Sequence, residues 1–220
     1  MATPPTATVN QGTSGGTSTS EIHAAVMARA APTPGLRWVD IGCGTGEDLR
    51  QIRDHYSPAS LIGSDLLPWL PDDLSDIQFL KGDAVWALDQ IDPVDRLLMV
   101  EMIEHLEAPW AALRIAARKV APNGLLIVTT PNVRSLRHRL DLLVRGNLTS
   151  FRPDNGAHLT PVLPHIARRI LDEEGMQSSL FYCSPDVIPF TGGKRWLDAL
   201  ARRWPSLLYL SLGIVAKRVS

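Results

Sequence analysis

The chain is poor in cysteine and in net charge, and each shortage excludes a class of protein. Its 220 residues include only 2 cysteines, too few for a disulfide framework and without metal-finger spacing. A reduced, cytoplasmic setting is therefore expected. A formal net charge of -1 provides no global field that would attract nucleic acid or an anionic membrane.

Long apolar runs are also missing. The longest, residues 207–216, is interrupted by Ser211 and Gly213 and is too short to span a bilayer, so no membrane insertion is expected. No basic segment followed by an apolar one opens the chain, and no secretory signal is expected. Residues 1–20 are rich in Thr, Ser, Gly and Pro and are predicted to form a disordered tail. Residues 21–220 suffice for one domain with a single core.

A glycine-rich turn directly after an apolar strand is the most informative segment. Residues 38–41 form the predicted strand, and glycine follows at alternate positions: Gly42, Gly44 and Gly46. Such glycines let the backbone turn tightly and approach a ligand closely. Their G-x-G-x-G spacing differs from the G-x-G-x-x-G of dinucleotide-binding folds. Three carboxylates crowd the turn, those of Asp40, Glu47 and Asp48. This negative charge disfavours a pyrophosphate and favours a ligand with an ammonium or sulfonium group.

Residues 40–46, Asp-Ile-Gly-Cys-Gly-Thr-Gly, resemble the first motif of the class I S-adenosylmethionine-dependent methyltransferases. The resemblance extends from about residue 38 to residue 217. It implies an α/β fold with a Rossmann-like, doubly wound, mostly parallel sheet of seven strands, a terminal antiparallel strand, and helices on both faces. It also implies S-adenosylmethionine as the methyl donor and S-adenosylhomocysteine as the product.

Donor-binding roles fall on residues that follow successive predicted strands. Asp65 ends the second strand, where a carboxylate can accept hydrogen bonds from a ribose diol, and Leu66 would lie beside the adenine. By the resemblance, Asp83 in the turn after the third strand would contact the adenine amino group. The predicted donor-binding residues are Asp40, Gly42, Cys43, Gly44, Gly46, Asp65, Leu66, Asp83, Ala84 and Glu101.

Further helices and strands are predicted from the segments on either side. A Ser18-x-x-Glu21 capping box predicts a helix through Ala30, which would either cover the donor, as in the resembled family, or simply pack on the sheet. A second helix is predicted with Thr160 as its cap and Pro161 in its first turn. Two final strands over residues 178–183 and 207–215, with a helix over 194–203 between them, complete the sheet.

A second polar group follows the fourth predicted strand. In the segment E-M-I-E-H, a helical turn would place Glu101, Glu104 and His105 on one face. Two carboxylates crowded with an imidazole repel each other unless a proton or a cation lies between them.

The E-x-x-E-H pattern resembles ubiquinone O-methyltransferases, bacterial sugar O-methyltransferases and small-RNA 3′-terminal 2′-O-methyltransferases. In the last group two glutamates and two histidines hold Mg²⁺, and His158 in a His-Leu-Thr-Pro segment is the candidate for the second histidine. The resemblance thus implies four ligands for Mg²⁺ or another divalent metal: Glu101, Glu104, His105 and His158.

An arginine-rich segment separates these two parts of the cluster. A helix is predicted over residues 133–145, ending at Gly146, with apolar residues on one side: Val133, Leu136, Leu140, Leu143 and Val144. Between residues 131 and 152 five arginines stand against one aspartate, a local charge of +4. Residues 131–160 are predicted to form an acceptor-binding cap, with a mobile lid over 147–157. The alternative is an ordinary solvated helix face.

Methyl transfer from a sulfonium is an in-line displacement that requires the acceptor oxygen, methyl carbon and sulfur to be aligned. A hydroxyl acceptor also needs a base or a metal that lowers its pKa. The candidate catalytic residues are His105, Glu104 and His158. His105 would act as a base, or the cluster would hold a metal, and the pair of carboxylates favours the metal.

The resemblance to these O-methyltransferases implies a metal-assisted O-methyltransferase that acts on a hydroxyl of a sugar or glycan, with a small-molecule or oligosaccharide acceptor. An RNA 3′-terminal 2′-O-methyltransferase is disfavoured by the near-neutral charge and the lack of a separate RNA-binding domain. A phenolic O-methyltransferase of the ubiquinone type would be favoured by an apolar acceptor mouth. A scaffold protein that keeps the cofactor fold without turnover is the non-enzyme alternative, and a homodimer is a further possibility.

Overall fold

Seven strands form one sheet in the computed structural model, which describes residues 18–66, 70–185 and 201–219. The strands are β1 Arg37–Ile41, β2 Ser60–Asp65, β3 Gln78–Lys81, β4 Val94–Met99, β5 Val120–Pro131, β6 Met176–Pro185 and β7 Tyr209–Arg218. The helices of the described ranges that are used below are α1 Ser20–Ala30, α2 Glu47–Tyr56, α3 Ala84–Gln90, α4 Pro109–Arg118, α5 Leu136–Arg145, α6 Pro164–Glu173 and α7 Pro205–Leu208. Short 3-10 turns lie at Asp72–Leu74 and Ile103–His105.

The strand order is β3-β2-β1-β4-β5-β7-β6. Strands β1 to β5 pair in parallel, and β7 lies antiparallel between β5 and β6. The order reverses between β1 and β4, which pair directly, so the loops after these two strands leave the same edge side by side. The predicted fold class is confirmed, and the glycine turn after β1 is brought next to the E-M-I-E-H segment after β4.

Helices cover both faces of the sheet because successive strand residues point to opposite sides. On one face, α1 and α2 pack against Trp38, Leu98 and Ile127. On the other, α3, α4 and α6 pack against Val39 and Leu97. None of the helices in the described ranges has the length and hydropathy that a bilayer crossing requires.

Three helix starts differ from the prediction. Helix α5 begins at Leu136 instead of Val133, because Ser135 is its N-cap and its side chain accepts the His138 N–H. Helix α1 has Thr19 as its N-cap, with no side-chain cap hydrogen bond, so the capping box from Ser18 was wrong. Helix α6 begins at Pro164 instead of Pro161. The reason is that Thr160 is used elsewhere: its hydroxyl donates to the Leu106 carbonyl (2.8 Å) and its N–H to the Glu104 carbonyl (3.0 Å).

The C-terminal part of the sheet also shifts. Strand β7 begins at Tyr209, two residues later than predicted, because Pro205 opens the one-turn helix α7. Most of the helix predicted over residues 194–203, and nearly all of the tail predicted over residues 1–20, lie outside the described residues.

The central strands are predicted to dominate stability. Leu98 in β4 is fully buried, so Leu98→Ala should lower the unfolding free energy by about 2–5 kcal/mol through lost burial and a residual cavity. Urea unfolding measures the change. The control is Val219→Ala at an exposed position, whose unfolding free energy should stay within about 0.5 kcal/mol of the parent value. Equal losses of unfolding free energy in both variants would contradict the assigned core.

Candidate functional site

The glycine turn ties the end of β1 to the end of β2. Gly42, Gly44 and Gly46 have φ of 76°, 52° and 79°, a region that side chains disfavour. The Gly42 N–H donates to the Ser64 carbonyl (2.7 Å), and the Gly44 N–H donates to Asp65 Oδ2 (2.8 Å). A Cβ on Gly42 would lie 2.8 Å from Met102 Cβ, in the segment after β4. The turn therefore requires glycine for both its dihedral angles and its close approach to the second segment.

Two carboxyl groups are buried beneath this turn. Asp40 is 2% exposed, and its Oδ1 has no hydrogen-bond partner among the described residues. Burial raises the pKa of Asp40, and the charges of Asp48 and Asp65 raise it further. Asp48 is also buried, whereas Glu47 is exposed. An unpartnered buried carboxylate beside a second one fits a donor that carries positive charge, as the sequence predicts.

His23 of α1 is a component of this region that the sequence pattern did not reveal. Its Nδ1 lies 2.9 Å from Asp48 Oδ1, and both side chains are nearly inaccessible to solvent. The pKa of His23 is raised: burial lowers it, but Asp48, Glu47 and Glu101 outweigh that effect. The contact joins α1 to the first turn of α2, directly beside the glycine turn. A histidine four residues into an amphipathic helix gives no signal of such a partner.

The remaining predicted donor residues lie along the same edge of the sheet. Leu66 is exposed after β2, and Cys43 is buried, with a thiol pKa raised chiefly by that burial. Asp83 is the N-cap of α3, where its Oδ1 accepts the Trp86 N–H (2.9 Å), and Ala84 is buried in the first turn. Adenine contacts by Asp83 and Ala84 stay predictions, because this capping role already accounts for one carboxylate oxygen.

Three of the four predicted metal ligands converge. Glu104, His105 and His158 each offer one ligand atom, and these atoms all lie within 4.8 Å of one another. Glu104 is fully buried, and neither of its oxygens has a hydrogen-bond partner among the described residues. Burial raises its pKa well above the usual range, and the charge of Glu101 adds to the effect. A carboxylate in this position requires either a proton or a cation.

The two imidazoles lie side by side. His105 Nδ1 lies 2.7 Å from the Ala157 carbonyl, which can only accept, so Nδ1 carries a proton and in the neutral ring Nε2 presents the lone pair. This is the arrangement by which a backbone carbonyl orients a metal-binding histidine. The His158 ring lies with its centroid 4.8 Å from that of His105, and burial followed by the nearby His105 lowers its pKa, which favours the neutral ligand form.

Glu101 lies outside this three-residue group. Its backbone has φ of 48°, and its N–H donates to Thr129 Oγ1 (3.0 Å). Burial raises its carboxyl pKa to about 7, against the lowering effects of the Thr129 and Ser211 hydroxyls and of His23. Glu101 interacts electrostatically with His23 and with Glu104, and its predicted roles in donor and metal binding stay predictions.

A cavity of about 310 Å³ opens beside the cluster. Seven of its nine lining residues have polar side chains: Glu101, Pro131, Arg137, His138, Thr149, Ser150, His158, Leu210 and Ser211 line it. The cavity therefore lies where the end of β4, the predicted cap and the start of β7 meet. Its position next to His158 suits an acceptor whose reacting atom faces the cluster.

The predicted lid is anchored to α5 by polar contacts. Asp141 accepts the Thr149 hydroxyl (2.8 Å) and the Arg152 guanidinium (2.7 Å), and these contacts hold its pKa well below the usual range. His138 Nε2 accepts the Ser150 N–H (3.3 Å), while its Nδ1 lies 2.9 Å from Ser135 Oγ. Burial and the charge of Arg137 lower the pKa of His138 to about 4. Sequence reasoning missed His138.

The architecture defines the class. The strand order, the glycine turn at the end of β1 and the carboxylate at the end of β2 are those of a class I S-adenosylmethionine-dependent methyltransferase fold. A solved methyltransferase of that description from Archaeoglobus fulgidus superposes with a TM-score of 0.63 at 19% identity, covering 90% of this chain and 93% of that one.

A family model for the methyltransferase domain matches residues 19–175, and the chain belongs to this family. It is similar to a trans-aconitate 2-methyltransferase of Methylobacterium nodulans, with 30% identity over 126 residues, 55% of this chain and 48% of the relative. It is also similar to a ubiquinone biosynthesis O-methyltransferase of Maricaulis maris, with 29% identity over 154 residues, 66% of this chain and 60% of the relative. The chain thus spans about half the length of these curated relatives.

The buried neutral His138 predicts a pH-dependent stability. Its pKa is near 6.5 when unfolded and about 4 when folded, so the unfolded state binds the extra proton between these values. Stability from this residue is present above pH 6.5 and is lost as pH falls towards 4. Between pH 7 and pH 5 the loss is about 1–2 kcal/mol by urea unfolding.

His138→Gln should reduce this pH dependence, whereas the exposed His55→Gln should leave it unchanged. An identical pH dependence in all three proteins would contradict a neutral, buried His138.

Proposed function

We propose that the protein is an S-adenosylmethionine-dependent O-methyltransferase that methylates a hydroxyl of a sugar or glycan with the help of a divalent metal. The observation that carries the proposal is the Glu104 carboxylate, fully buried and unpartnered among the described residues, beside the imidazoles of His105 and His158. A lone general base at His105 would not require such a carboxylate, whereas a cation site would.

The donor would occupy the glycine turn. When bound, S-adenosylmethionine supplies a methyl group on a positively charged sulfur. Asp40 and Asp48 provide buried carboxyl groups on that side, and Asp65 is oriented by the Gly44 N–H for its predicted contact with the ribose. Met102, against which Gly42 packs, brings the E-M-I-E-H segment alongside the turn. The chain therefore supports the donor and the acceptor cavity from two adjacent strand ends.

The three-residue cluster would hold the metal. When bound, a divalent cation lowers the pKa of an acceptor hydroxyl and so makes it a better nucleophile. His105 is fixed in the ligand tautomer by the Ala157 carbonyl, and Glu104 is kept from water by its burial. One oxygen and two nitrogen donors suit a first-row divalent metal such as Mn²⁺ better than Mg²⁺, which prefers oxygen ligands, and they leave positions for substrate oxygen atoms.

The cavity lining supports a polar acceptor. Thr149, Ser150, Ser211, Arg137 and Glu101 are among the residues that line it. Such groups hydrogen-bond a polyhydroxyl molecule, and the arginine also suits an acidic substituent. Two relatives are named for small-molecule chemistry, which is consistent with a small acceptor.

A phenolic acceptor of the ubiquinone type is the second candidate, and one observation favours it. Large apolar side chains of α5, including Leu140 and Val144, are exposed close to Arg137 at the edge of the cavity. An acceptor with an apolar substituent would find a surface there. Two of the similar curated proteins are ubiquinone biosynthesis O-methyltransferases.

Donor binding should depend on Asp65. Asp65→Asn removes the charge that the ribose diol would meet, and we expect the Kd for S-adenosylhomocysteine to rise at least about tenfold by calorimetry. The exposed Asp92→Asn is the matched control and should bind like the parent. An unchanged Kd in a folded Asp65→Asn protein would remove Asp65 from the donor site.

Metal dependence tests the other half of the proposal. Glu104→Gln should lower methyl transfer by about a hundredfold or more and abolish Mn²⁺ binding measured by calorimetry, whereas the exposed Glu107→Gln should do neither. Acceptors to be tested with radiolabelled donor are glycans, quinol precursors and short RNAs, each with and without Mg²⁺. Full activity after exhaustive chelation would contradict a role for the metal and would leave His105 as the general base.

A further inference from the structure

Helix α5 presents apolar residues to solvent and polar residues to the protein, the reverse of an ordinary surface helix. Its buried residues are polar, His138 and Asp141, whereas its large apolar residues face outwards. Leu143 is 82% exposed and Val144 is 78% exposed. A surface helix normally buries its apolar side against the core. The residues that the structure describes leave this apolar side uncovered, and such an exposed apolar surface marks a site of interaction.

The outward residues form an ordered stripe. At 3.6 residues per turn, four apolar side chains share an arc of about 100°: Leu143, Leu136, Leu140 and Val144. Exposed arginines border the arc on both sides, Arg139 on one and Arg137 on the other. An apolar stripe with a cation along each edge is the pattern of a helix that lies in the plane of a bilayer surface.

We propose that α5 binds the surface of an anionic lipid bilayer, with its apolar stripe among the acyl chains and its arginines at the phosphates. The binding is peripheral and concerns this local surface alone, since the whole chain carries a net charge of only -1. A second copy of the chain is a poorer partner, because a two-fold contact through α5 would bring the same arginines against each other.

The helix is held rigidly for such a contact. Asp141, on the inward side, forms ion pairs with Arg145 and Arg152 and accepts the Thr149 hydroxyl, so the inward face of α5 is fixed to the 147–157 loop. His138 adds a second attachment through Ser150. No large rearrangement is therefore required to present the stripe, and the ordering cost of binding is small.

The position of the stripe has a functional consequence. Arg137 borders the stripe and also lines the acceptor cavity, so bilayer binding would place the cavity mouth at the lipid surface. An acceptor that resides in the bilayer could then enter from that side, whichever hydroxyl is methylated. The lipid interaction itself does not depend on the proposed reaction.

Cosedimentation of the full chain with vesicles tests the proposal. Vesicles of phosphatidylcholine and phosphatidylglycerol in roughly equal amounts should bind the protein at low ionic strength, and pure phosphatidylcholine vesicles should bind at least about tenfold less. Leu143→Glu and Arg139→Gln should each lower the bound fraction several-fold, and added salt should lower binding by the parent. Val85→Glu, on an exposed position of α3, should bind like the parent.

Three results would overturn it. The first is no binding to the anionic vesicles, or equal binding to both compositions. The second is a dimer, detected by light scattering, that the Leu143→Glu substitution dissociates. This result would show that the stripe binds a second copy of the chain. The third is a lowered melting temperature of Leu143→Glu, which would show that the chain itself covers the stripe.

Discussion

A buried carboxylate without a partner is the constraint on which the second half of this molecule depends. Glu104 is fully enclosed by its surroundings, and its two oxygens meet no hydrogen-bond donor among the described residues. An isolated charge in such a place is costly, so the group is either protonated or compensated by a cation. The neighbouring imidazoles, one of them fixed by the Ala157 carbonyl, make a cation the better chemical match.

The sheet topology places this cluster at the same edge of the sheet as the glycine turn. Because β1 and β4 pair directly, the glycine turn and the E-M-I-E-H segment leave the same edge of the sheet, and Gly42 approaches Met102 so closely that no side chain fits between them. The buried acids below the turn and the histidine cluster thus lie at the same edge of the sheet, and Glu101 interacts electrostatically with His23 and with Glu104. In-line methyl transfer would require the proposed donor and acceptor sites to be close to each other.

Much of the fold and part of the site follow from local sequence. The strand at residues 38–41 and the glycine turn after it were predicted because a short apolar run followed by alternating glycines is a local signal. Glu104, His105 and His158 were found by motif, although His158 is distant in the chain. The His23–Asp48 contact, the His138–Ser150 attachment and the outward direction of α5 were missed. Each depends on which elements pack together, and helical periodicity shows that a side is apolar but not which way it faces.

A crystal structure of the full chain with S-adenosylhomocysteine and Mn²⁺, with anomalous data for the metal, tests the central claim most directly. The account predicts a single metal peak within about 2.0–2.4 Å of Glu104, His105 and His158, and the thioether sulfur over the glycine turn facing that metal. Two results would contradict the account. One is S-adenosylhomocysteine at the turn with no metal at the three residues, and the other is a metal at these residues with the sulfur directed away from it.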